Sequence, residues 1–267
     1  MIGIIFNKND EASMNLAEYV STHADFEETN KGSFSKELNA MLVESSVPLI
    51  NAELVDSMGF DIAYMLSKHV SAAGVSAFTV HATGNWNDKA ELGGKPHELS
   101  VASPVEMLGV LQHAKAMLDK EIKIELTYEA THHGPLLKTP CLFVEIGGND
   151  KTVASKELAG VLGAALIDSL GSAAEYNKVV IGIGSNHYPA KFSQLAFSKG
   201  YAFAHIMPKY AFGNEDGTNN SFMLDQAFER SRQKPELAVI DWHSFNAVER
   251  QEMIKKMNEL GIDYERA

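Results

Sequence analysis

Ten histidines are spread over 267 residues, and several stand beside acids, Gly or Pro where apolar runs end. Histidine titrates close to neutrality, so it can move protons or ligate a metal under physiological conditions. The densest group is Glu129-Ala130-Thr131-His132-His133-Gly134-Pro135. His132 and His133 point to opposite sides in an extended chain, which leaves one for function and the other for packing or for orienting a ligand. Glu145 closes an apolar run, and a carboxylate buried there needs a partner or a metal. His81 leads into Ala82-Thr83-Gly84-Asn85-Trp86 and reads either as a site residue or as a satisfied core histidine. Gly182-Ile183-Gly184-Ser185-Asn186-His187 sets backbone N–H groups beside a base, an arrangement suited to oxyanion or phosphate recognition. The two glycines could equally serve close packing. His23, His69, His97, His113 and His205 lack comparable company and read as structural or surface residues.

Some chemistries are excluded. No His-Glu-x-x-His run is present, so a metal site must be assembled from different strands, with His nitrogen and carboxylate oxygen as donors. No Gly-x-Ser-x-Gly elbow supports a serine hydrolase, and the late, incomplete Gly-x-Gly run argues against nicotinamide binding. The net charge of −12 shows no global nucleic-acid footprint. A nucleic-acid partner would have to meet a local cluster, with Lys31, Lys36, Lys191, Lys199 and Lys209 as candidates. The lone cysteine, Cys141, allows no internal disulfide and fits a reducing, cytoplasmic setting.

These residues need a frame. Short apolar runs alternate with amphipathic stretches, the pattern of a mixed or parallel sheet flanked by helices in one domain spanning residues 1–267. Strands are expected near 2–7, 47–53, 61–66, 77–82, 122–130, 141–147, 179–185, 202–207 and 236–241. Met1–Phe6 reads as a first core strand rather than a signal peptide, and no apolar run approaches the roughly 20 residues of a membrane span. Helices are expected near 104–119, 151–170, 190–199, 220–232 and 245–260. Ser103, Pro104 and Glu106 spell a capping box, Ser244 is the expected cap of the last helix, and Gly200 and Gly261 are expected terminators. The segment 84–102 is a long loop, a length often tied to function. Ligands bind outside the carboxyl ends of strands in open α/β sheets, and titratable residues recur there.

Taken together, the motifs resemble the archaeal and plant class of D-aminoacyl-tRNA deacylases. The resemblance rests on Glu129 to Pro135, Phe143-Val144-Glu145-Ile146-Gly147, Val80 to Trp86, Gly182-Ile183-Gly184 with His187-Tyr188, His205-Ile206 with Lys209-Tyr210, and Val239-Ile240-Asp241-Trp242, over about 60 to 262. Ser185-Asn186 and Gly147-Gly148-Asn149 depart from the family pattern. The resemblance implies a phosphorylase/hydrolase-like α/β fold related to peptidyl-tRNA hydrolase. It implies a hydrolase that cleaves the ester of D-aminoacyl-tRNA, recycling tRNA mischarged with D-tyrosine and other D-amino acids. It also implies zinc, a monomer, and neither membrane nor DNA as partner.

On that reading, His132 or His133, with Glu145 and His187, holds zinc or activates water. His81 or the Gly182–Gly184 backbone faces the developing oxyanion. Lys209 meets a phosphate of the CCA end, and Trp86 or Tyr188 stacks on the terminal adenine. Chirality is read by hydrogen bonds to the amino group, which the wrong enantiomer leaves unpaired. Competing readings are a zinc amidohydrolase or carboxypeptidase-like enzyme on small acylated substrates, a nucleoside phosphorylase, and a non-catalytic RNA-binding module. The first is favoured by the acidic charge; the last predicts a basic face, which the sequence lacks.

Overall fold

A computed structural model describes residues 1–69, 74–213 and 218–267. The chain opens with β1 (Ile2–Phe6) and α1 (Glu11–His23), whose cap Asp10 accepts from the Ser13 N–H. Three short strands follow: β2 (Glu27–Thr29), β3 (Gly32–Ser35) and β4 (Ala40–Glu44). Then come β5 (Ile62–His69), β6 (Ala77–His81) and a small ribbon of β7 (Gly84–Asn85) and β8 (Glu98–Leu99). Next are α2 (Pro104–Met117), β9 (Glu125–Tyr128), β10 (Cys141–Gly147), α3 (Asp150–Val153) and α4 (Lys156–Gly171). The last part contains β11 (Lys178–Ile183), α5 (Ala190–Lys199), β12 (Tyr201–Met207), α6 (Lys209–Phe212), α7 (Leu224–Glu229), β13 (Leu237–Ile240), α8 (Ala247–Leu260) and β14 (Asp263–Arg266).

Two sheets carry the fold. The larger has eight strands in the order β2-β3-β4-β1-β5-β10-β6-β9 and is mixed, because β6 runs antiparallel to β10. The smaller has four parallel strands, β12-β11-β13-β14. α2 packs against α4 and β12, and α5 against β12 and β9, so helices join the two sheets. Ile4, Tyr64, Leu142 and Val144 from the larger sheet share one apolar core with Val180, Phe203 and Val239 from the smaller. Neighbours in sequence alternate faces, as a strand period of two requires. Ile5, Met65, Cys141 and Phe143 therefore point the other way, into a second core with Leu49, Val55 and Leu137.

Several expected elements are displaced. The stretch expected as a strand at 47–53 forms two short 3-10 turns, Leu49–Asn51 and Glu53–Ser57. Pro48 has no N–H to give a ladder, and the pairing strand lies earlier, at β4. The helix expected at 151–170 is split in two, with Asn149 and Ser155 each capping a start. The region 220–232 holds only a 3-10 turn and α7. Ser103 precedes α2, but the expected capping box does not form: the Ser103 hydroxyl makes no cap bond, and Glu106 turns to Arg232 at 2.9 Å. Asn246 rather than Ser244 caps α8, in a full capping box with Glu249. Gly200 and Gly261 end α5 and α8 in the left-handed conformation, where glycine carries no Cβ penalty. No helix of the described residues is long and apolar enough to cross a membrane.

Candidate active site

One face of the larger sheet changes chemistry along its strands. On that face β5 presents Ala63, Met65, Ser67 and His69, and β10 presents Cys141, Phe143, Glu145 and Gly147. Ser67 pairs with Glu145 and His69 with Gly147, so both strands pass from apolar to ionisable at the same level. From the antiparallel neighbour, Thr79 pairs with Glu145 and His81 with Phe143. The His81 ring stacks on the Phe143 ring at 5.0 Å, and Gly147 leaves room beside the His69 side chain.

The Glu129–Gly134 loop completes the cluster. It continues from β9, with Glu129 N–H donating to Val80 O. Ala130 N–H donates to His187 O and Thr131 N–H to Ile206 O, each at 2.9 Å, which ties the loop to the smaller sheet. Below it, the Trp86 indole N–H donates to Thr131 O at 2.9 Å. His205 is wholly buried; its Nε2 faces Arg230 O at 3.0 Å and its Nδ1 the Thr131 hydroxyl at 3.2 Å. Gly134 lies so close to Ile50 O and Gly94 N that a Cβ would strike both, and the Gly134–Pro135 bond is cis. The long segment 84–102 thus packs under the histidine loop, with β7 and β8 inside it.

Glu129 is the hub. Its Oε2 lies 2.9 Å from His69 Nδ1, 2.9 Å from His187 Nε2 and 3.7 Å from His132 Nε2. Glu145 Oε2 lies 3.5 Å from His69 Nδ1 and 3.6 Å from His81 Nε2. Burial opposes charge on His69, but hydrogen bonds to the two carboxylates push its pKa up to about 10. Burial likewise opposes the carboxylates' charge, yet His187 and His69 hold Glu129 low, and His69 and His81 hold Glu145 low. His132 and His133 go the other way. Burial and neighbouring positive charge at His81 depress both, His133 to about 4.

Three imidazoles are oriented alike. Nδ1 faces a backbone carbonyl oxygen in His81 (Ala82, 3.1 Å), His132 (Ala130, 2.8 Å) and His133 (Gly134, 2.6 Å). A carbonyl only accepts, so each Nδ1 carries a proton. His132 and His133, depressed, are neutral and turn an Nε2 lone pair into the cluster, whereas Glu145 raises the pKa of His81 against its burial and the His81 Nε2 faces that carboxylate. His132 and His133 therefore face one cluster together, with ring centroids 4.2 Å apart, contrary to the expected alternation. The reason is local: His133 has φ 42°, a left-handed turn that breaks the extended chain.

Donor atoms within mutual reach fall into three overlapping sets among the described residues: His69, Glu129, His132 and His187; His81, His132 and His133; and His81, Glu129 and Glu145. The expected trio His132, Glu145 and His187 is not one of them, because Glu145 lies on the His81 side and Glu129 stands with His187. His69, which in the sequence lacks the company of acids, Gly or Pro, enters the site because β5 runs on past residue 66 to His69. Extending the period-two pattern through Ser67 to His69 is the signal that could have found it. Glu129, first of the motif run, is the hub of the cluster rather than an outlying member.

The remaining expected site residues divide. Tyr188 lies edge-on to His69 and His187, at 5.3 and 5.1 Å. Trp86 is only 4% exposed and engaged beneath the loop, so it offers no open face to a base. Gly184 N–H is taken by Met207 O at 2.8 Å, and Gly182 lies within the β11 ladder, so neither presents a free N–H to an oxyanion. Their small size answers to Phe192 over Gly182 and Phe245 over Gly184. Lys209 lines an open cleft of ≈ 600 Å³ and forms an ion pair with Glu249.

Comparison with known proteins follows this geometry. A family model described as D-aminoacyl-tRNA deacylase matches residues 57–265. The chain is 32% identical over 260 residues to the D-aminoacyl-tRNA deacylase of Desulfurococcus amylolyticus, covering 90% of each. It is 31% identical over 271 residues to that of Methanococcus maripaludis, covering 98% of each. A crystal structure described as a conserved protein of unknown function matches with a TM-score of 0.90 at 28% identity, over 100% of this chain and 95% of that one.

Proposed function

This chain belongs to the D-aminoacyl-tRNA deacylase family, and from that premise we propose how its buried histidine–glutamate cluster works. The activity is hydrolysis of the ester bond of D-aminoacyl-tRNA, which releases the D-amino acid and reusable tRNA. The observation that carries the mechanism is the meeting of His69, His81, His132 and His187 with two buried carboxylates, Glu129 and Glu145.

The donor set fits zinc, which takes His nitrogen and carboxylate oxygen. His81 Nε2, Glu129 Oε1 and Glu145 Oε2 are buried without a hydrogen-bond partner. Two buried carboxylates also need positive charge between them, and a proton on His69 fills a place that a cation can take. His69, Glu129, His132 and His187 would hold the metal, and the Ala130 carbonyl behind His132 fixes the tautomer of that ring. Bound zinc supplies a Lewis acid for the ester carbonyl.

Glu145, facing His81, takes the proton of the attacking water. His133 adds a neutral nitrogen close to His81, with ring centroids 4.9 Å apart. General base action of this kind contributes about 10²–10⁴-fold, which suits an already activated ester. D-tyrosine is the proposed test amino acid. The same reading carries kinship of fold with peptidyl-tRNA hydrolase, a monomer, and a cytoplasmic location; its support is the mixed α/β sheet and the tRNA substrate.

Matched D- and L-Tyr-tRNA, with and without chelator, test the reading alongside elemental analysis of the purified protein. Deacylation confined to the D-substrate, zinc in the protein and loss of both after chelation are expected. Full activity in protein free of metal would remove zinc from the mechanism. No release from D-Tyr-tRNA or from other D-aminoacyl-tRNAs would remove the activity.

A further inference from the structure

Building on the deacylase reading, we propose that the open cleft beside the cluster seats the 3′-terminal adenosine of the tRNA, with the Tyr210 ring as the platform on which its base stacks. The cleft lining includes Ser185, Asn186, Lys209, Tyr210, Asp241 and Ser244. These residues follow β11, β12 and β13, three parallel strands, where open α/β sheets receive ligands. Its ≈ 600 Å³ falls within the roughly 300–1,000 Å³ of small-ligand sites, so a nucleoside fits. The walls are tied together: Lys209 N–H donates to Ser185 O at 2.9 Å, and Ser185 N–H to Ser244 Oγ at 3.1 Å. The cleft therefore has its shape before a ligand arrives.

Tyr210 joins this cleft to the cluster. It is 59% exposed, yet its hydroxyl lies 3.5 Å from His187 Nδ1, and His187 Nε2 meets Glu129. A base resting on that ring stands one side chain away from the reacting centre.

The chemistry of the walls decides which half of the ester the cleft takes. An α-ammonium group seeks an unmatched carboxylate. Asp241, the carboxylate among the described lining residues, already meets a lysine, its Oδ1 2.5 Å from Lys191 Nζ. A nucleotide instead needs an aromatic face, polar side chains for the base edge and cations for its phosphate. Tyr210, Asn186 and Lys209 of the lining supply these, with Lys191 beside them on Asp241.

The test compares two short oligonucleotides, one ending in CCA and one whose last residue is abasic. Each is measured as a ligand by calorimetry and as an inhibitor of deacylation, against wild type, Tyr210→Phe and Tyr210→Ala. The adenosine end should bind wild type about tenfold more tightly than the abasic end. Tyr210→Phe should keep that preference and Tyr210→Ala should lose it. Equal binding of the two ligands by wild type, or a preference that survives Tyr210→Ala, overturns the adenosine seat. Failure of the wild-type protein to deacylate any D-aminoacyl-tRNA would overturn the deacylase reading instead, and the binding comparison reports separately from it.

Discussion

Glu129 Oε2 lies 2.9 Å from His187 Nε2, although 58 residues separate them and they follow strands of different sheets. The contact places the hub of the cluster where the two sheets meet, so the site depends on their docking. Replacing Glu129 with Gln keeps the shape but removes the charge that faces three histidines. Zinc affinity should fall by more than the roughly 10–100-fold that loss of an outer hydrogen-bond partner costs. Metal titration of the variant, read beside its deacylation rate, checks this.

Glu145→Gln separates chemistry from metal binding. The expected loss in kcat is about 10²–10⁴-fold, the range for a general base, with zinc content retained. Circular dichroism should show an unchanged fold. Deacylation near the wild-type rate would show that Glu145 does not take the proton.

Trp86→Phe distinguishes a buttress from a stacking surface. The indole N–H to Thr131 O bond is buried, and its loss should cost about 1 kcal/mol, or about 2–4 °C in Tm for a chain of this size. A few-fold fall in kcat should follow as the histidine loop loosens. A rise in KM at unchanged Tm would instead indicate contact with the substrate.

Stability should fall with acid, and His205 gives the sign. Burial holds its pKa down to about 4 in the folded chain, against 6.5 ordinarily. Between those values the unfolded chain binds a proton that the folded chain refuses. The stabilisation is complete above about pH 6.5 and is lost as pH falls to about 4, by up to about 3 kcal/mol from this residue. His132 and His133 are depressed too and add in the same direction. Denaturant midpoints from about pH 6.5 to about pH 4.5, where the opposite contribution of His69 is already complete, should show the decline, with a shallower slope in His205→Asn.

Gly184→Ala should destabilise the smaller sheet. Gly184 has φ +105°, and a Cβ there would stand 2.7 Å from the Phe245 ring. Overpacking of this kind costs about 1–3 kcal/mol, before the backbone strain is added. A lower denaturant midpoint with an unchanged slope is the expected reading, and a midpoint equal to wild type would show that Phe245 yields freely.

The sequence by itself determined the frame and the family. Continuous apolar runs such as Cys141 to Gly147 and caps such as Gly200 depend on neighbours within a few residues, so they are legible locally. The Glu129–Pro135 run is distinctive enough to carry the resemblance alone. Tertiary structure decided which side chains meet. His69 became a member only because β5 runs beside β10 in a register that sets Ser67 against Glu145. His132 and His133 came to one side only because Gly84, Thr131 and Gly134 hold the loop in a left-handed turn at His133. Trp86 left the substrate's path because its indole found a carbonyl inside the fold. Each of these outcomes rests on contacts between residues far apart in the chain, whose energies no local pattern of residue types encodes.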